Sequence, residues 1–242
     1  MSLFRKTTLT PPPAAGIGPA ISLDKIPTGL VSLTKTAAVS LEKTGLTGQR
    51  AAVYLVLDHS GSMMPFYRDG SVQRLAEQAL GLSANLDDDG RVPLIYFGTS
   101  VNQLDDADLT GYQGVINRTH NLVGWGSTNY AAAIDYVVGL HAGNPLPGLV
   151  IFQTDGEPNS RGAAEDALRE ASHHPLHFAF VGFGGNVRFL ERLDDLRGRA
   201  VDNASFFHAR DPHRVTDAEL YDGITHEYAG WLATAHAAGI VR

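Results

Sequence analysis

One carboxylate and two hydroxyls stand at alternate positions just after a hydrophobic run. The run is Val53-Tyr54-Leu55-Val56-Leu57, and the groups are Asp58, Ser60 and Ser62 in LDHSGSMM. If the chain stays extended past Leu57, alternation points all three the same way. Gly61 lets the loop bend and brings backbone close to a ligand. The three side chains offer only oxygen, which suits hard cations such as Mg²⁺, Mn²⁺ or Ca²⁺. A second acid, Asp155, follows another apolar run in LVIFQTDGEP. A third hydroxyl, Thr128 in WGSTNY, stands where a glycine-containing loop enters a helix.

The elements that must position these groups alternate between strand and helix. Apolar runs give strands at 53–57, 92–97, 149–154 and 176–181, with a short one at 205–208. Helical spacing covers 73–86, 130–140, 163–172, 187–196 and a long final stretch, 217–238. A polar loop over 102–127 has room for one edge strand. Near-continuous Val, Leu, Ile and Phe in strands separated by helices indicates an α/β, doubly wound, mostly parallel sheet with helices on both faces. Ligands of such sheets sit beyond the carboxyl ends of the strands. Asp58 and Asp155 both lie at such ends.

Ahead of this domain, residues 1–20 carry Pro11-Pro12-Pro13 and read as a flexible or extended lead. ISLDK (21–25), VSLTK (31–35) and VSLEK (39–43) each alternate apolar and polar residues. They suit a short N-terminal strand-like extension or a partly ordered arm. The division expected is an arm at 1–50 and one domain at 51–242.

Of 242 residues, 43% are hydrophobic and 19% charged, which is globular composition. A net charge of −7 argues against a nucleic-acid partner. The absence of cysteine rules out disulfides, thiol catalysis and zinc–thiolate sites. With no signal-peptide core and no stretch of roughly 20 apolar residues, the expected location is cytoplasmic, without a membrane.

DHSGS (58–62), Thr128 in GSTN and Asp155 in TDGEP together resemble the metal-ion-dependent adhesion site of von Willebrand factor A domains, in order and spacing over 51–242. YRDG (67–70), LDDDG (86–90), TNY (128–130) and VGFG (181–184) are similar to the A domains of bacterial tellurium-resistance and general-stress proteins. VSLTK and VSLEK resemble strand openings of that system. The resemblance implies metal ligation by Ser60 and Ser62, and by Thr128 directly or through water. Asp58 and Asp155 would act mostly through bound waters. It implies Mg²⁺ above Mn²⁺ or Ca²⁺, and a protein partner that presents an Asp or Glu to the metal. That partner would be drawn from tellurium-resistance or stress proteins. Ser127 stands where the family often has glycine, but no ligand is lost.

Other motifs have plainer readings. DxSxS alone would be an Asx or serine turn with a helix cap. Asp87-Asp88-Asp89-Gly90 lacks the pattern of an EF-hand and reads as a solvated turn. Gly182, Gly184 and Gly185 read as a strand-end turn, His173, His174 and His177 as a surface cluster, and Glu157 as a surface residue near a helix start. Trp125 and Tyr130 are either rim contacts or packing. His59 adjoins Ser60, but neighbours in an extended loop face opposite ways, and there is no GxSxG elbow. A metal-dependent phosphoester hydrolase is therefore the alternative to a binding module, and a purely structural metal domain is the third possibility.

Overall fold

The computed structural model describes residues 18–242. The triple-proline lead falls outside the described residues. Six strands form one sheet: β1 (Ala52–Asp58), β2 (Arg91–Phe97), β3 (Val101–Asp108), β4 (Gly148–Thr154), β5 (Leu176–Phe183) and β6 (Ala204–Ala209). Their order is β3-β2-β1-β4-β5-β6. All neighbours are parallel except β2 and β3. The antiparallel edge strand lies at the start of the polar loop, with a register shift between Pro93 and Ile95. Pro93 has no N–H for a ladder, so an irregularity belongs there.

Helices cover both faces. They are α1 (Thr28–Lys43), α2 (Met64–Arg68), α3 (Ser71–Leu86), α4 (Val115–Thr119), α5 (Tyr130–His141), α6 (Arg161–Ala171), α7 (Arg188–Asp194), α8 (Asp217–Thr225) and α9 (Tyr228–Ala237). Every residue of β1 is buried. Val53, Leu55 and Leu57 join the core formed with α1, α3 and α8. Tyr54 and Val56 join the core formed with α5, α6 and α7. Each such side chain contributes roughly 1.5–3 kcal/mol on burial. That burial on both faces is why the strand reads as an unbroken apolar run.

Three expectations need correction. The strand-like units at 31–35 and 39–43 belong to one helix, α1. Val31 and Leu33 alternate by coincidence over five residues, whereas Leu30, Leu33, Ala37 and Leu41 keep helical spacing over several turns and are buried. The helix packs closely on α3: a Cβ at Gly81 would sit 2.7 Å from Leu33 Cβ, and Asn85 Nδ2 donates to Thr34 O at 3.0 Å. Against α8, Ser40 Oγ and Lys43 Nζ meet the Asp222 carboxylate at 2.5 and 3.0 Å. The unit at 21–25 holds a 3₁₀ turn, Leu23–Lys25, in place of a strand.

The expected final helix is two. His226 and Glu227 separate α8 from α9 while keeping right-handed dihedrals. Apolar residues continue through the break, so periodicity does not mark it. The histidine cluster is not on the surface as a whole: His173 is exposed, but His177 on β5 is fully buried. Its Nε2 is 3.0 Å from Ser205 Oγ, and its ring packs 5.7 Å from Tyr228 and 5.5 Å from Trp231. Among the described residues no helix is long and apolar enough to cross a membrane.

Candidate functional site

β1 and β4 end side by side, and their last residues open into the candidate site. Asp58 is fully buried. Its Oδ1 accepts from Ser60 N at 2.8 Å, and its Oδ2 accepts from Thr154 Oγ1 at 2.6 Å. The first bond is an Asx turn, which swings the chain out of the strand. Ser60 stays extended and Gly61–Met63 then closes into a 3₁₀ turn. Ser60 Oγ and Ser62 Oγ are 3.1 Å apart, and Ser62 Oγ donates to Asp155 Oδ1 at 2.8 Å. Asp58, Ser60, Ser62 and Asp155 are thus linked in one hydrogen-bonded chain.

Thr128 stands two residues past a backbone bridge between its loop and Ser60. Gly126 forms a parallel bridge with Ser60, its N–H donating to His59 O at 3.0 Å. A Cβ there would lie 2.5 Å from Thr99 N, so only glycine fits between the loops. Two residues on, Thr128 N donates to Asn159 Oδ1 at 3.0 Å, and Asn159 N donates to Thr128 O at 2.8 Å. Asn129 caps α5 by accepting from Ala132 N. Ser127, in the position noted above, is 2.8 Å from Asn159 Nδ2 and 3.2 Å from Thr99 Oγ1.

Two supporting residues were not singled out by the sequence. Thr154 and Asn159 hold Asp58 and Thr128 in place. The Tyr130 hydroxyl lies 3.0 Å from Thr154 Oγ1, and Tyr67 donates to Asp58 O at 3.0 Å. Tyr130 is fully buried, so its job is packing, while Trp125 stays 39% exposed. His59 turns away from the serines. Its ring stacks on Trp125 at 3.9 Å and 6°, with Nδ1 3.3 Å from Gly124 O and Nε2 3.4 Å from His120 Nδ1. Both ring nitrogens are committed there. Glu157 pairs with Arg161 at the start of α6.

Burial pushes the Asp58 carboxyl up to about 6, against the bonds from Thr154 and Ser60. Burial also raises Asp155, against the bond from Ser62. Burial lowers His59 to about 4. A buried carboxylate near a half-buried one, both short of positive charge, is a setting that a cation relieves. Among the described residues no three His, Cys, Asp or Glu side chains are placed to share a metal. A cation here would therefore depend on the hydroxyls, an all-oxygen donor set that fits a hard ion.

A six-stranded sheet of this order, parallel but for one edge strand, with helices on both faces, is the von Willebrand factor A fold. The chain belongs to the vWA-TerF-like family, the vWA domain found in the TerF C terminus, which matches residues 50–241. YcbR of Bacillus subtilis (strain 168), an uncharacterized protein, is 32% identical over 216 residues, covering 86% of this chain and 88% of YcbR. The fold is similar to that of the manganese-loaded Plasmodium vivax TRAP protein, at 20% identity and TM-score 0.52, over 73% of this chain and 72% of that one. It is also similar to the SpRpn10 VWA domain, at 13% identity and TM-score 0.52, over 71% and 93% of the two chains.

Proposed function

We propose that the protein is a divalent-metal-dependent protein-binding module. Ser60 and Ser62 would ligate Mg²⁺ through their hydroxyls, with Thr128 direct or through water. Asp58 and Asp155 would orient metal-bound waters. A first shell of neutral oxygens leaves the cation short of negative charge, so its open position would take an Asp or Glu of a partner. The setting proposed is a bacterial cytoplasmic tellurite-resistance or stress-response system, in line with the family. Domain 51–242 would carry the site, with residues 1–50 joined to it through α1.

The observation that supports this most is the chain of bonds from Asp58 through Ser60 and Ser62 to Asp155. A binding role is preferred to hydrolysis because His59, the base nearest in sequence, is engaged on the other side of the loop. The test is calorimetric titration of metal-stripped protein with Mg²⁺, Mn²⁺ and Ca²⁺, beside Ser60→Ala/Ser62→Ala. Binding by the native chain and none by the variant is expected. A folded native chain that takes up no metal would overturn the proposal.

A further inference from the structure

Arg161, Arg188 and Arg192 gather beside the candidate metal loops. With Glu157, Asn186 and Phe189 they line an open concavity of about 380 Å³. In a protein of net charge −7, the lining of this spot holds three guanidinium groups and one carboxylate, with Glu165 bonded to Arg192 from outside it. Arg161 begins α6, where the helix dipole disfavours a cation. Arg188 and Arg192 lie one turn apart on α7 and so share a face.

The existing partners hold these groups unequally. Arg161 pairs with Glu157, and Arg192 meets Glu165 at 2.7 Å, with the arginine side chains 58% and 62% exposed. The Arg161–Glu157 pair is weak for that reason and can be exchanged for a ligand's carboxylate, whereas the Glu165 side chain is only 10% exposed, so Arg192 keeps that partner and offers a ligand its remaining N–H donors. Arg188 forms no ion pair among the described residues. Phe189 is buried and closes the floor. Guanidinium groups grip carboxylates by two parallel bonds, which makes arginine the residue suited to this work.

The concavity shares the loop between β4 and α6 with the site already described. Glu157 follows Asp155 by two residues, and Asn159 of the same loop is bonded to Thr128 at both its amide and its carbonyl. An extended peptide with one acid at the metal would carry its neighbouring residues toward the arginines.

We infer that the arginine rim is the second half of the partner site, and that the partner segment is an acidic peptide with further carboxylates beside the one the metal takes. This rests on the metal-dependent reading above. Glu157 acts as the internal occupant that such a peptide displaces from Arg161.

The test compares two peptides of equal length, one with a single glutamate and one with three in a row. Each is titrated in Mg²⁺ at low and high salt against native protein and Arg188→Ala/Arg192→Ala. The three-glutamate peptide is expected to bind about tenfold more tightly. That advantage shrinks in salt and vanishes in the variant, while Glu157→Gln strengthens it. Equal binding of the two peptides by native protein would overturn the inference, as would an advantage that survives in the variant. Tighter arginine-dependent binding of a phosphoserine peptide would overturn the choice of carboxylate.

Titration of Mg²⁺ alone separates the two failures. If the native chain takes up no metal, the parent reading fails, and the rim is judged without metal. Salt-sensitive binding of the three-glutamate peptide that the variant loses would then support the rim, and none would overturn it. Loss of Mg²⁺ binding in the arginine variant would also overturn it, because the arginines would then be acting on the metal loops.

Discussion

The protein has two tryptophans, and each packs on a buried histidine at a different place in the sheet. Trp125 stacks on His59 at the carboxyl end of β1, beside the candidate metal loops. Trp231 packs on His177 within β5, with Tyr228 at 5.2 Å. Trp231 is 3% exposed and Trp125 is 39% exposed. One cluster seals the interior, and the other shows a face to solvent and joins the site through the backbone of Ser60 and Gly126. Similar chemistry serves two ends because burial differs.

Truncation should separate the clusters most sharply. Trp231→Ala is expected to cost about 3–5 kcal/mol in urea unfolding, as large-to-small changes in cores do. Trp125→Ala should cost about 1 kcal/mol or less. Comparable losses at the two positions would dissolve the contrast.

Metal should act on one cluster alone. Saturation at about 100 times the dissociation constant should add about 2.7 kcal/mol to stability. Asp155→Ala should weaken metal binding, on the order of 10–100-fold. The increment should persist in His177→Gln, and it should be absent from Ser60→Ala/Ser62→Ala.

Acid should act on both, more strongly on the sealed one. Burial lowers His177 to about 3 and His59 to about 4. Unfolded histidine titrates near 6.5, so below that pH the unfolded chain binds more protons than the folded chain. The histidine contribution is therefore present above about pH 6.5 and is lost as pH falls toward 4 and then 3. His177→Gln and His59→Gln should each flatten the fall in urea midpoint between pH 7 and 5 by a similar amount, and the two should part only below about pH 4, where folded His59 takes up its proton first. Asp58 has the opposite sign. Its pKa is raised to about 6, so without metal its ionisation lowers stability as pH rises through that value. Metal requires the ionised form, so metal affinity should drop as pH falls below about 6.

The smallest effect is optical. In Trp231→Phe, the emission of Trp125 should be quenched by iodide and should shift when Mg²⁺ is added. In Trp125→Phe, the emission of Trp231 should ignore both. A metal response from Trp231 would mean that the two clusters are coupled through the sheet.

The sequence carries these regions unequally. The strands are readable because burial on both faces leaves runs such as Leu149–Phe152 without polar interruption. The oxygen-bearing residues are readable because alternation and strand ends are local properties. α1 is not, since its five-residue windows mimic a strand and its helical spacing shows only across several turns. The burial of His177 depends on a helix about 50 residues later folding back over β5, which no local pattern records. Thr154 and Asn159 are ordinary residues until the loops that they join are brought together. A local signal for the arginine rim did exist, in the one-turn spacing of Arg188 and Arg192, but Arg161 joins them only in the folded chain.

The antiparallel edge strand has a consequence of its own. An open sheet edge invites a strand from another molecule, and carboxylates along it make that addition costly. β3 runs through Asp105, Asp106 and Asp108, with Asp105 exposed and Asp106 within 3.8 Å of Arg91. These charges make β3 a poor template for strand addition. Two such domains brought together would therefore not add sheet to sheet across β3.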